Sequence, residues 1–114
     1  MTKIEAYSRI VDALISATNG YDVEAVLTLF TPDAVIDDPS TGERFDGHLG
    51  IREYVERFFV GYHTVTKLLS VKSLDASGVR ARVEFTGDFG HETGGLDLTF
   101  DPGGLIARID ADLE

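Results

Sequence analysis

The feature that most limits the fold is a change of hydrophobic period at Gly61. Ahead of it apolar residues recur at helical spacing, and behind it they alternate as they do on strands with one buried face. Ile4, Tyr7, Val11, Leu14 and Ile15 form one helical stripe, with Thr2 and Glu5 as a capping box at its start. The pattern predicts a first helix over residues 3–18, stopped in left-handed backbone at Asn19-Gly20. Asp22 caps a second helix striped by Val23, Val26, Leu27 and Phe30, and Thr31-Pro32 ends it. A third helix, 48–60, carries Ile51, Tyr54, Val55 and Phe58 on one face.

Strands follow. Residues 63–73 and 79–89 alternate, the second with Val79, Ala81, Val83, Phe85 and Phe89 on one face and Arg80, Arg82, Glu84 and Asp88 on the other. Asp75–Gly78 is a hairpin turn between them, and residues 95–100 and 105–113 repeat the pattern across Asp101–Gly104. An earlier short strand, 34–38, stops at Pro39, and the turn formers of STGERFDGH read as a loop. Helices first and an antiparallel meander afterwards is an α+β layout, with three helices of the N-terminal half packed against a curved sheet. At 114 residues the chain is one domain, 1–114.

Charge and composition narrow the function classes. Twenty acids against ten bases give a net charge of −10, a field that repels nucleic acid and anionic membranes. With no Cys there is no thiolate nucleophile and no cysteine metal site. His48, His63 and His91 fall in no word that presents two nitrogens together, so no metal is expected. No apolar run approaches the roughly 20 residues of a membrane span, and no basic-then-apolar leader stands at the N-terminus. A cytoplasmic protein is the expectation.

The stretch AVIDDP, 34–39, sets two carboxylates side by side at a strand end. Alternation puts Asp38 with Ala34 and Ile36, and Asp37 with Val35 on the opposite face. Asp38 is therefore the candidate for an apolar pocket, and Asp37 for the surface. The competing account of Asp38 is a solvated acid in the turn that Pro39 begins.

The order of elements, together with GYDVEAVLTLFTPDAVIDDP, DGHLGIREYVERFF and FDPGGLIARI, resembles the nuclear transport factor 2-like superfamily, within it the SnoaL-like polyketide cyclase and ketosteroid isomerase group. The resemblance spans essentially the whole chain. It implies a cone-shaped α+β barrel with a deep apolar pocket, commonly dimeric and without metal or organic cofactor. It also implies that Asp38 stands where the isomerases hold their general base. Those enzymes add a tyrosine on the first helix and a protonated aspartate on a later strand to stabilise the enolate oxygen. Here the two positions fall on Leu14 and Leu96, and Asp97 lies one residue off, on the other face.

The expected pocket is lined by Leu14, Ile36, Tyr54, Phe58, Phe85, Phe89, Ile109, Ala111 and Leu113. Tyr7, Tyr54, Tyr62, His63 and His91 are the side chains able to polarise a substrate oxygen. Arg108 with Asp110 or Asp112 suggests the water-activating trio of an epoxide hydrolase, but alternation puts all three opposite Ile109. HETGG, 91–95, reads as a turn. The expected ligand is a small apolar molecule. Two functions follow: an isomerase, cyclase, lyase or dehydratase using Asp38 on an enolisable ring compound, or a non-catalytic module that binds such a compound or dimerises through the outer sheet face carrying Arg80, Arg82 and Glu84.

Overall fold

The computed structural model describes residues 2–113, and of Leu113 the backbone only. Helix α1, Lys3–Asn19, starts where Thr2 accepts a hydrogen bond from the Glu5 amide at 3.3 Å. Its end departs from expectation, because Gly20 stays right-handed at φ −83° and Tyr21 takes the left-handed turn at φ 55°. Helix α2, Val23–Leu27, is capped by Asp22 as its sequence predicts, but it is one turn long. Phe30, Thr31 and Pro32 open strand β1, Phe30–Asp38. Phe30 pairs with Ile106, and the register slips before Val35, across the stretch where Pro32 lacks an N–H to give the ladder.

The supposed loop after Pro39 contains a strand. β2, Glu43–Asp46, pairs antiparallel with β1 from Val35↔Asp46 to Asp38↔Glu43, the chain having turned through Gly42 at φ 72°. Helix α3, Gly47–Val55, runs on into a π-helical turn, Glu56–Val60. Strands β3, Val65–Asp75, β4, Gly78–Gly87, β5, Gly90–Phe100, and β6, Ile106–Leu113, complete the meander. β3 thus starts two residues later than expected, with His63 outside it in left-handed backbone. HETGG lies within β5 rather than in a turn, and Asp88-Phe89 make the turn instead.

The sheet order is β2-β1-β6-β5-β4-β3, antiparallel throughout except that β1 runs parallel to β6. It curves over the helices as an α+β cone. Val11, Leu14, Val26, Ile51 and Val55 of the helices meet Val79, Ala81, Val83, Leu98, Ile106 and Ile109 of the sheet in one core. Burying this apolar surface is the main source of stability in a chain without disulfides. β3 is an exposed edge, and α1 covers part of it: the Asn19 amide accepts from the Thr66 N–H at 2.7 Å and donates to the Thr66 carbonyl at 2.9 Å.

Candidate functional site

Asp38 ends β1 on the concave face, where it is 8 % exposed, while Asp37 on the other face is half exposed and accepts from Arg108 at 3.2 Å. Three donors converge on the Asp38 carboxylate. The Ser40 N–H and hydroxyl reach Oδ1 at 3.0 and 2.6 Å, and the Tyr54 hydroxyl reaches Oδ2 at 2.7 Å. The Ser40 bonds form an Asx turn, so the turn chemistry before and after Pro39 is real, yet it holds a buried acid rather than a solvated one. Acceptance at both oxygens suits the ionised form, which has no proton to give.

Tyr54 comes from α3, whose helical face also buries Ile51 and Val55. Burial pushes its hydroxyl well above the ordinary tyrosine value, and the charge of Asp38 and the bond to it add to the shift. Tyr54 therefore remains a neutral hydrogen-bond donor across the physiological range. Phe45 and Phe58 pack on its ring with centroids at 5.0 and 5.4 Å and fix its direction.

Two cavities meet at Tyr54. An outer mouth of about 270 Å³ is lined by Asp38, Ser40, Thr41, Tyr54, Phe58, Phe59, Tyr62, Thr64, Phe85, Phe89 and Glu92. A deep slot of about 40 Å³ lies between α1 and the sheet, walled by Leu14, Ile15, Thr18, Val26, Phe30, Ile36, Val55, Thr66, Leu96 and Ile109. Tyr54, Phe59 and Phe85 line both. Phe59 and Phe85 meet edge to face at 6.1 Å and form the partition.

The expected lining residues divide accordingly. Leu14, Ile36 and Ile109 wall the slot, Phe58 and Phe89 the mouth, and Tyr54 and Phe85 both. Ala111, with one methyl, reaches neither and borders an outer cleft with Arg80, Asp97 and Asp112. The side chain of Leu113 lies outside the described residues. Leu14 and Leu96, the residues expected at the oxyanion positions, both line the slot and add to its apolar wall.

Of the expected donors, Tyr54 alone touches Asp38, and Tyr62 stands in the mouth. Tyr7 stacks on Phe100 at 4.0 Å and lines neither cavity. His63 pairs with Asp88 at 2.9 Å and His91 with Glu84 at 3.1 Å, both outside the cavities. Arg108 binds Asp110 and Asp37 on the outer face, so that trio faces away from the pocket. Among the described residues no three His, Asp or Glu side chains converge as a metal site requires. None of the described helices is long and apolar enough to cross a membrane. Sequence reasoning missed Ser40, Phe59 and Thr66, although Asp-x-Ser is an Asx-turn signature that points to the first.

Residues 11–112 match the SnoaL-like domain model, and the chain belongs to that family. No curated protein matches it by sequence. A candidate polyketide cyclase from Sinorhizobium meliloti has a similar structure, with 25 % identity, TM-score 0.82, and coverage of 91 % of this chain and 94 % of that one. The epoxide hydrolase/cyclase-like enzyme SalBIII of pyran-ring formation in salinomycin is 20 % identical, with TM-score 0.86 over 100 % of this chain and 95 % of its own. A Mycobacterium tuberculosis protein in complex with estradiol-17β-hemisuccinate is 14 % identical, with TM-score 0.80 over 93 % and 92 % of the two chains.

Proposed function

We propose that the protein acts on a small, largely apolar ring compound, with Asp38 as general base in an isomerase-, cyclase- or lyase-type reaction on an enolisable carbonyl. The carrying observation is the buried Asp38 carboxylate at the pocket mouth with the Tyr54 hydroxyl 2.7 Å from Oδ2. Asp38 takes the proton next to the carbonyl, and the C–H electron pair moves onto the carbonyl oxygen as an enolate. Once Asp38 is neutral it holds the Tyr54 donor less strongly, because hydrogen bonds to charged groups are the stronger ones. Tyr54 then turns its bond to the enolate oxygen, in place of the donors absent at Leu14 and Leu96. The enolate is reprotonated elsewhere, attacks a second carbonyl, or expels a leaving group. Proton transfer of this kind asks for a carboxylate and a hydroxyl, with no cofactor.

The mouth, at about 270 Å³, falls just below the roughly 300–1,000 Å³ of small-molecule sites, which favours a compact ring over a steroid-sized one. The name of one similar structure, a candidate polyketide cyclase, supports a ring-compound substrate. A homodimer in the cytoplasm, paired through the outer face of β4 and β5, completes the reading, and sedimentation velocity tests the dimer.

The second reading, a non-catalytic binding module, is favoured by the leucines at the two oxyanion positions. Deuterium exchange at the carbon next to the carbonyl of 2-tetralone, followed by NMR in D2O, separates the two. General-base catalysis predicts acceleration by the native protein and a loss of about 10²-fold or more in Asp38→Asn. Binding of 2-tetralone without acceleration would leave the binding module.

A further inference from the structure

We infer that the deep slot carries a polar subsite, the Thr66 hydroxyl, which takes an oxygen of the ligand at the end remote from Asp38. The inference rests on the reading of this pocket as a ligand site and deepens it by naming the ligand's second polar group. Thr66 is 5 % exposed, lines the slot, and its Oγ1 has no hydrogen-bond partner among the described residues. A hydroxyl offers one donor and two acceptor sites, and leaving them unmade in an apolar interior is costly enough to need a reason.

The other polar groups of the slot are already engaged. The Thr18 hydroxyl donates to the Ile15 carbonyl at 3.1 Å, and the Tyr54 hydroxyl donates to Asp38. Thr31 is also without a partner at Oγ1, but it lines neither cavity. Thr66 thus carries the unpartnered hydroxyl among the residues that line the slot, with its Oγ1 itself buried. Its main chain is held on both sides by the Asn19 amide, and a β-branched side chain is stiff at χ1, so the oxygen is set in place before a ligand arrives.

The sizes of the two spaces give the ligand its shape. About 40 Å³ admits a short substituent and not a ring, whereas the 270 Å³ mouth beside Asp38 admits the ring. The ligand is a compact ring in the mouth with a short arm, ending in a hydroxyl or carbonyl, that reaches past the Phe59–Phe85 contact to Thr66.

A matched pair of probes tests this: 2-naphthalenemethanol and 2-ethylnaphthalene, alike in shape and differing by a terminal hydroxyl against a methyl. Affinities are read by NMR titration for the native protein, Thr66→Val, Thr66→Ser and Asp38→Asn. The alcohol-to-ethyl affinity ratio should fall about five- to tenfold in Thr66→Val, the worth of one net hydrogen bond, and be restored by Thr66→Ser. It should stay within about twofold in Asp38→Asn. A ratio unmoved by Thr66→Val would mean that the hydroxyl serves buried water only, and the inference falls. A ratio moved by Asp38→Asn instead would put the ligand oxygen in the mouth, and failure of both probes to bind the native protein would equally overturn the subsite. Loss of the general-base reading looks different, since 2-tetralone exchange would be absent while the Thr66-dependent ratio held.

Discussion

The hydroxyl of Tyr54 donates to Oδ2 of Asp38 at 2.7 Å, joining helix α3 to the end of strand β1 through two buried side chains. Tyr54→Phe leaves a buried carboxylate with one donor fewer. We expect a loss of about 1–3 kcal/mol in urea denaturation near neutral pH.

The same bond has a pH signature. Tyr54 in the folded protein holds its proton well above the ordinary tyrosine value of about 10, so the unfolded chain loses that proton first. The stability this group contributes is complete below pH of about 10 and is lost as pH climbs through the raised folded value. The stability gap between the native protein and Tyr54→Phe should therefore hold constant up to about pH 10 and narrow as pH rises above it in parallel denaturation curves. A gap that widens over that range would contradict the assignment.

Asn19 holds the free edge of the sheet with one side chain. Its two bonds to Thr66 satisfy a main-chain N–H and a carbonyl that β3 shares with no further strand. Asn19→Ala should cost about 1–3 kcal/mol and speed hydrogen exchange at the Thr66 amide more than at β5 amides. Equal exchange at both strands would show that the edge is held by other contacts.

How much of this was legible beforehand depended on how local each signal was. The direction of Asp38 followed from alternation with Ala34 and Ile36, and the inward course of β4 from Val79, Ala81 and Val83. Phe30 satisfies both a helical spacing from Val26 and Leu27 and a place on a strand, and its pairing with the distant Ile106 decides between them. β2 is four residues long and set among turn formers, so only its partner β1 makes it a strand. The glycines of HETGG read as a turn, yet β4 on one side and β6 on the other hold Gly94 in the ladder, opposite Val83 and Leu113. The Asp38–Tyr54 bond spans 16 residues and two elements, and no spacing rule of sequence reports it.

Arg80 and Asp97 face each other across β4 and β5 on the outer face, with paired bonds at 2.7 and 2.9 Å. The Arg80 bond is the main cause that holds the Asp97 carboxyl below its ordinary range. A lowered folded value means stability present above the unfolded value and lost as pH falls through the folded one. Arg80→Ala should therefore be mildly destabilising at pH 7, with the difference from the native protein shrinking as pH falls from the ordinary carboxylate value of about 4 through the lowered folded one. Thermal melts across that range check it, and a difference that persists in acid would point to packing of the Arg80 stem instead.

Phe85 is the partition residue on the sheet side, lining mouth and slot alike and meeting Phe59 at 6.1 Å. Truncation to alanine joins the two spaces and removes contacts from a half-buried ring, at a cost below the roughly 3–5 kcal/mol of a fully buried phenylalanine. The compensation is room. Pyrene, wider than naphthalene, should bind Phe85→Ala about tenfold more tightly than it binds the native protein, while naphthalene changes little. Fluorescence titration with both hydrocarbons reads the difference. If pyrene affinity does not rise, Phe59 has closed over the vacated space, and the partition is then set from the helical side rather than from the sheet.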